Sequence, residues 1–149
     1  MQGRKTVLPH EHVARHCKAA DLFCDHTGQP TRLLESAFRP RSTDDDGLSA
    51  IWIEFFQGTR THNLACVRSV TKLHVKSTDR IVLVNVGTFV AGLKTAVPAI
   101  AVEQDPINDL PPLKNAAHAL IVPSDEFKNE NIRDIAASLV LVPADVEEY

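Results

Sequence analysis

The chain has 149 residues, of which 44% are hydrophobic and 23% are charged, with a net charge of −3. That length accommodates a single domain, and that balance excludes collagen-like and fully disordered proteins. The most apolar stretch, residues 81–86, is far shorter than the ~18 residues that a membrane-spanning helix needs. The net charge argues against a nucleic-acid binder with a large uniform basic field.

The first half of the chain predicts strands separated by turns. Residues 1–9 are expected to form a flexible N-terminal arm, and residues 10–149 a single domain. Alternating side chains predict a strand from His12 to Cys17, and residues 25–30 carry the Gly and Pro of a turn. Residues 33–38 fit a short helix or a strand, and residues 39–47 a loop. Residues 48–56 fit a strand, although a helix beginning near Ser49 fits nearly as well.

The second half predicts two principal helices and a β-hairpin. An apolar stripe predicts an amphipathic helix from His62 to about Thr71. Residues 73–75 and 81–86 read as the two strands of a hairpin, followed by strands over 97–102 and 117–122 with an exposed loop at 105–115. Asn129 or Asn131 is expected to cap a helix running to about Val142.

Together these elements predict one α+β domain with a mixed or mostly antiparallel sheet. The predicted core contains mostly large apolar residues: Trp52, Phe55, Ile81, Leu83, Val86, Ile135 and Leu139.

The cysteines and histidines near the N-terminus raise the question of a metal. Imidazole and thiolate are ligands that zinc prefers, and a structural zinc would use Cys17 and Cys24 with histidines such as His12, His16 and His26. Because Cys17 and Cys24 stand seven apart and the histidines fall on both faces of the predicted strand, we expect no metal and no other cofactor. The acidic run at residues 44–46 lacks the spacing of a cation loop and predicts a solvated turn.

Three cysteines cannot all pair within the chain, and no cationic and then apolar leader opens the sequence. We therefore expect a cytoplasmic protein.

No segment carries a named catalytic or phosphate-binding motif. If the protein is an enzyme, the residues expected to form its site are His12, Arg15, Ser49, Glu54 and His118. They would serve either a nucleotide-handling transferase or a metal-assisted hydrolase. The order of His12 or Arg15, then Ser49, then Glu54 is similar to the dispersed pattern of ADP-ribosyltransferases.

Three segments, residues 12–17, 28–39 and 48–54, together resemble a pattern in small bacterial proteins usually labelled hypothetical. The resemblance covers roughly the first half of the chain. It implies a bacterial cytoplasmic protein acting within a multi-gene system and transfers no catalytic residue.

Charge is distributed unevenly along the chain. Residues 60–80 contain five basic residues and one acidic residue, whereas residues 97–149 contain three basic and ten acidic residues. Such segregation suits docking on a protein partner through Arg60, Arg68, Lys72 and Lys76. The sequence therefore favours a non-enzymatic interaction module, such as a small subunit or adaptor, with a protein partner and neither a membrane nor a nucleic acid. It says nothing about oligomeric state.

Overall fold

A six-stranded antiparallel sheet organises the chain. The structure is a computed structural model that describes residues 4–42, 44, 46–71, 75–107 and 115–149. The strands of this sheet are β1 (His12–Cys17), β4 (Leu48–Trp52), β5 (Arg80–Asn85), β6 (Ala101–Gln104), β7 (His118–Val122) and β8 (Val146–Glu148), in the spatial order β6-β7-β4-β1-β5-β8. A separate hairpin joins β2 (Leu22–Cys24) to β3 (Pro30–Leu33).

Three α-helices and several 3-10 turns complete the fold: α1 (Arg60–Val70), α2 (Val86–Leu93) and α3 (Glu130–Ser138), with 3-10 turns at Ala19–Asp21, Glu35–Phe38, Ile53–Phe56 and Ser124–Lys128. The predicted α+β class with a mostly antiparallel sheet is confirmed. No helix within the described ranges is long and apolar enough to cross a membrane.

Side-chain alternation gives the sheet two different faces. On the back face, Val13, Leu48 and Ile121 belong to the main core, which also contains Phe89 of α2 and Ala136 of α3. A second, smaller core lies on the front face and includes Ala14, Ile81 and Leu83 of the sheet with Leu64 and Val67 of α1. Helix α1 thus covers the half of the front face formed by β1 and β5.

The segment predicted as a flexible arm is described from Arg4 onward, and residues 5–7 of it contact the sheet. Val7 is 3% exposed, and its amide donates to Val102 O at 2.9 Å. The amide of Gln104 donates to Lys5 O at 2.7 Å, and Thr6 forms a bridge with Glu103. Burial of the Val7 side chain stabilises this attachment along the edge strand β6.

The predicted hairpin before β5 is wrong. β5 forms where it was expected, but it pairs with β1 on one side and β8 on the other. Over Arg80–Val82, where a hairpin partner would pair, both hydrogen-bonding edges of β5 are therefore occupied. Leu73 lies outside the described residues, and Val75 and Lys76 are not in a strand.

Helix α2 was missed because Gly87 and Gly92 suggested an interruption. Asn85 caps this helix, its side chain accepting from the amide of Thr88 at 2.9 Å. A Cβ at position 87 would lie 2.8 Å from Pro9 O, and one at position 92 would lie 2.5 Å from the side chain of Leu139. The two glycines therefore permit close packing.

Two predicted strands are only partly correct: the strand expected over 97–102 begins at Ala101, and the strand expected over 48–56 ends at Trp52 and continues as a 3-10 turn. The helices near residues 62 and 130 are present, with Thr59 and Asn129 as their caps, although α3 ends at Ser138 and so before Val142. Of the predicted core, Ile81, Leu83 and Val86 are buried, and Trp52, Ile135 and Leu139 pack against the main core while partly exposed. Phe55 is 38% exposed and does not belong to the core.

Candidate functional site

Three neighbouring strands place a serine, a histidine and an aspartate in one row on the front face. Ser49 on β4 lies opposite Leu120 of β7, and His118 of β7 lies opposite Ile51, two residues along β4. Asp105 follows β6 directly, and its amide donates to His118 O at 2.8 Å. Because side chains of paired residues point to the same face of an antiparallel sheet, the three functional groups meet there.

The side chains of this row are hydrogen bonded in series. Ser49 Oγ lies 2.5 Å from His118 Nε2. On the other side of the ring, His118 Nδ1 lies 3.0 Å from the main-chain oxygen of Asp105 and 3.2 Å from Asp105 Oδ2. The His118 side chain is 12% exposed and that of Asp105 is 31% exposed, so the row is shielded yet in reach of solvent.

The neighbours of His118 determine which ring nitrogen carries the proton. A carbonyl oxygen can only accept a hydrogen bond, so the contact with Asp105 O requires a proton on Nδ1. In the neutral imidazole, Nε2 is then the free base, and the hydroxyl of Ser49 donates to it. This arrangement is the one in which a histidine can remove a proton from a serine.

A buried ion pair holds the main chain of Ser49. The amide of Ser49 donates to Asp44 Oδ1 at 3.1 Å, and Arg15 Nη1 donates to Ser49 O at 2.8 Å. Arg15 Nη2 lies 3.6 Å from Asp44 Oδ2, and the two side chains are 1% and 0% exposed. Burial lowers the pKa of Arg15 to about 10, with the nearby Arg41 acting in the same direction and Asp44 opposing it, so Arg15 is charged at neutral pH. Together Arg15 and Asp44 fix the position of Ser49 from behind.

Arg4 anchors the aspartate of the row. Its Nε donates to Asp105 Oδ1 at 3.0 Å, which leaves Oδ2 on the side of His118. Its Nη2 donates to Asp46 Oδ2 at 3.2 Å. Desolvation lowers the pKa of Arg4, but the hydrogen bonds to Asp105 and Asp46 outweigh it and raise that pKa above its ordinary value. A docked N-terminal segment is therefore part of the site.

A cavity of about 320 Å³ opens beside the row. Its lining includes Ser49, His118 and Asp105, together with Gly47 and Leu120. The cavity lies on the half of the front face that α1 leaves free, since α1 packs on Ala14, Ile81 and Leu83 of β1 and β5. A small molecule can thus reach Ser49 without any rearrangement of the helices.

The five residues predicted for an enzyme site fall into two groups. Arg15, Ser49 and His118 are connected, although Arg15 contacts only the main chain of Ser49. His12 and Glu54 form a separate pair, with Nδ1 of His12 2.7 Å from Glu54 Oε2. None of His12, Arg15 and Glu54 lines the cavity beside Ser49, so the order similar to ADP-ribosyltransferases does not correspond to one cluster.

Sequence reasoning missed Asp105. It stands at the start of a predicted loop and offers no motif, because its partners His118 and Arg4 are distant in the chain. The one local signal is its position directly after a strand, where polar side chains often line a site.

The residues considered for zinc are spread apart. Cys17 is buried at the end of β1, whereas Cys24 is exposed at the end of β2. His16 binds Asp79, with Nε2 2.8 Å from Oδ2, and His26 lies in an exposed turn. Among the described residues, no three His, Cys, Asp or Glu side chains are placed to hold a metal ion.

Two of the four basic residues predicted to bind a partner, Arg60 and Arg68, contact the C-terminal strand of the same chain. Arg60 Nη2 donates to Glu147 Oε1 at 2.7 Å, and Arg68 Nη2 donates to Glu148 O at 2.7 Å. Lys72 lies outside the described residues, and Lys76 lies next to the turn that leads into β5. The segregated charges thus meet within the molecule.

Comparison with known proteins gives this chain no relative: no protein-family model, curated protein or solved structure matches it. Any functional inference therefore depends on the geometry of the site.

Proposed function

We propose that this protein is a serine hydrolase that cleaves small carboxylic esters through an acyl-enzyme. The observation that carries the proposal is the row Ser49, His118 and Asp105, whose contacts of 2.5 Å and 3.2 Å connect a hydroxyl, an imidazole and a carboxylate. A nucleophile, a base and an orienting acid in this order constitute a catalytic triad, which is recognised by geometry and not by sequence position.

In the first half of the reaction, Ser49 Oγ attacks the ester carbonyl carbon while its proton passes to His118 Nε2. The Oγ–C bond forms, the carbon–alkoxide bond breaks, and the imidazolium returns the proton to the departing alkoxide. Asp105 Oδ2 and the main-chain oxygen beside it stabilise the positive charge on His118. Water then repeats the sequence on the acyl-enzyme, releasing the acid and restoring Ser49.

Two features of the site limit the substrate and the rate. The cavity of about 320 Å³ is at the small end of ligand pockets and suits short acyl groups. The amide of Ser49 is already donated to Asp44, so it does not stabilise the developing oxyanion. Since one such donor is worth about 10²–10³ in rate, we expect slower turnover than in hydrolases with a complete oxyanion hole.

Covalent labelling tests the proposal directly. The purified chain is incubated with a small alkyl fluorophosphonate, and intact mass and peptide mapping locate the adduct. We expect one adduct, on Ser49, because its hydroxyl is paired with the imidazole of His118, which is positioned to act as a base. Ser49→Ala should abolish the adduct.

Ser138→Ala is the matched control, since Ser138 lies at an exposed position of α3 and its Oγ donates to the main-chain oxygen of Ile135, not to an imidazole. Labelling of Ser138 at the same rate, or an unlabelled Ser49 in folded protein, would reject the hydrolase.

The interaction module predicted from the charge distribution is a second candidate that the contacts favour less. Its motivation was the basic segment around residues 60–80, yet Arg60 and Arg68 are engaged by β8 within the chain. A partner would first have to displace these contacts. Co-purification at moderate salt, compared between the native chain and Arg68→Glu, tests for such a partner; an unchanged set of proteins would count against it. A cytoplasmic location stays a prediction.

A further inference from the structure

A second cavity, of about 570 Å³, lies near the back face where the chain enters β4. Its charged lining consists of four cations and two carboxylates: Arg39, Arg41, Lys128 and Arg133, with Asp44 and Asp125. We propose that this basic cavity binds a small phosphate-bearing molecule, a function separate from that of Ser49.

Two of the guanidinium groups are fixed in place before any ligand arrives. Arg133 is 8% exposed and donates from Nε to Glu35 Oε2 at 2.5 Å and from Nη1 to the main-chain oxygens of Phe127 and Lys128 at 2.9 Å. Arg41 donates through Nη2 to His16 O. Contacts among the described residues use three of the five N–H groups of Arg133 and one of those of Arg41, so donors remain for a ligand. Fixed donors lose little conformational freedom on binding.

The other two cations are free to close over a ligand. The Arg39 side chain is 63% exposed and has only a 3.5 Å contact with Glu35 among the described residues. Lys128 is 72% exposed, and its 3.0 Å pair with Asp125 is a surface pair of little strength. Cations from three parts of the chain, the loop, the 3-10 turn and α3, thus line one cavity. This arrangement suits a tetrahedral phosphate, whose oxygens accept from several sides, better than a planar carboxylate.

The volume of the cavity and the chemistry of its lining limit the class of ligand further. A volume of about 570 Å³ exceeds what a bare phosphate ion fills and falls within the range of small-molecule pockets. Among the described residues, Pro40 is the one apolar residue that lines this cavity, and none of the lining residues is aromatic. A nucleobase would therefore have no ring on which to stack. The lining therefore favours a phosphorylated polar metabolite over a single-stranded nucleic acid.

Binding of pyrophosphate tests the proposal, with inorganic phosphate, citrate and a short single-stranded oligonucleotide as comparison ligands. Isothermal titration and thermal melting on the full chain should show saturable binding of pyrophosphate and a raised melting temperature. The double variant Arg39→Gln with Lys128→Gln, at two exposed positions, should weaken binding at least about tenfold. Lys5→Gln with Lys94→Gln removes the same charge from exposed positions that do not line the cavity and should leave the affinity unchanged.

Equal losses of pyrophosphate affinity in the two double variants would show that only the net charge matters, which would overturn the proposal. The absence of binding at millimolar pyrophosphate would also overturn it. Citrate binding as tightly as pyrophosphate would reject a phosphate-specific site. Tighter binding of the oligonucleotide than of pyrophosphate would overturn the proposal and indicate that the cavity binds a nucleic-acid backbone. Arg39 and Lys128 do not line the cavity beside Ser49, so pyrophosphate binding by these variants and fluorophosphonate labelling of Ser49 test the two proposals separately.

Discussion

Two histidine–aspartate pairs lie on the same face of the sheet and differ in what surrounds them. His118 and Asp105 lie beside an open cavity, and the second ring nitrogen of His118 meets Ser49. His16 and Asp79 lie on the half covered by α1 and β8, and their side chains are 8% and 5% exposed. Within the part of the chain that the structure describes, Nδ1 of His16 has no hydrogen-bond partner.

The closed half is sealed by the last residue of the chain. The ring of Tyr149 lies 5.6 Å from that of His16, and burial raises the pKa of Tyr149 to about 12. Neither His16 nor Asp79 lines either of the two cavities described above. The two pairs thus have the same side chains in different surroundings: one is buried under α1 and β8, and the other adjoins the hydroxyl and the cavity on which the proposed hydrolysis depends.

Replacing the base of the open site should have the largest effect. His118→Gln removes the acceptor for the Ser49 proton, and hydrolysis of a short p-nitrophenyl ester should fall by about 10²- to 10⁴-fold. His12→Gln is the matched control, because His12 also binds a carboxylate, that of Glu54, but does not line the cavity. Equal losses in both variants would show that His118 has no special role.

The closed half should instead be sensitive to loss of packing. Leu83 is 4% exposed under α1, so Leu83→Ala should lower the free energy of unfolding by about 2–5 kcal/mol. Leu141→Ala, at a residue 67% exposed, should change it little. Denaturant melts of both variants measure the difference, and a loss below about 0.5 kcal/mol for Leu83→Ala would exclude Leu83 from a close-packed core.

Asp105→Asn should cost less activity than the same change in familiar triads. There the substitution lowers turnover about 10⁴-fold because the histidine adopts the wrong tautomer. Here the main-chain oxygen of Asp105 still requires a proton on His118 Nδ1, so the tautomer is kept in the variant. We therefore expect turnover to fall only roughly 10- to 100-fold, because the negative charge of the Asp105 side chain is lost. A pH–rate profile of the two forms distinguishes the cases; a loss as large as that of His118→Gln would contradict the tautomer argument.

The smallest effect concerns the sealed pair. Burial opposes ionisation of Asp79, but hydrogen bonds from His16 and the amide of Lys76 prevail and lower the pKa of this carboxyl below its ordinary value. The ionised group therefore stabilises the fold above the ordinary aspartate pKa of about 3.9, and that stabilisation is lost as pH falls through the lower pKa of the folded state.

Asp79→Asn should consequently lower the free energy of unfolding by about 1–3 kcal/mol at neutral pH. The difference in this free energy between the native chain and the variant should become smaller below pH ~4. Asp134→Asn, at an exposed position on α3, controls for loss of one negative charge. Melting curves across the acid range measure the effect, and a difference independent of pH would contradict it.

Local pattern by itself determined much of the fold. The strand at His12–Cys17 is where alternation placed it, and the amphipathic helix near residues 60–70 and the cap at Asn129 follow from periodicity and capping chemistry. Ser49 and His118 were also singled out, since a hydroxyl and an imidazole are reactive wherever they stand.

Only the tertiary structure decided which of these residues meet. Asp105 joins His118 across β6 and β7, and Arg60 and Arg68 meet β8 after more than 75 intervening residues. Strand order and pairing bring these groups together, and one sequence carries no local trace of pairing between distant strands. The hairpin before β5 was predicted wrongly for the same reason. The apolar pattern of β5 indicates a buried strand, but it does not indicate that this strand pairs with β1 and β8, which are distant in the sequence.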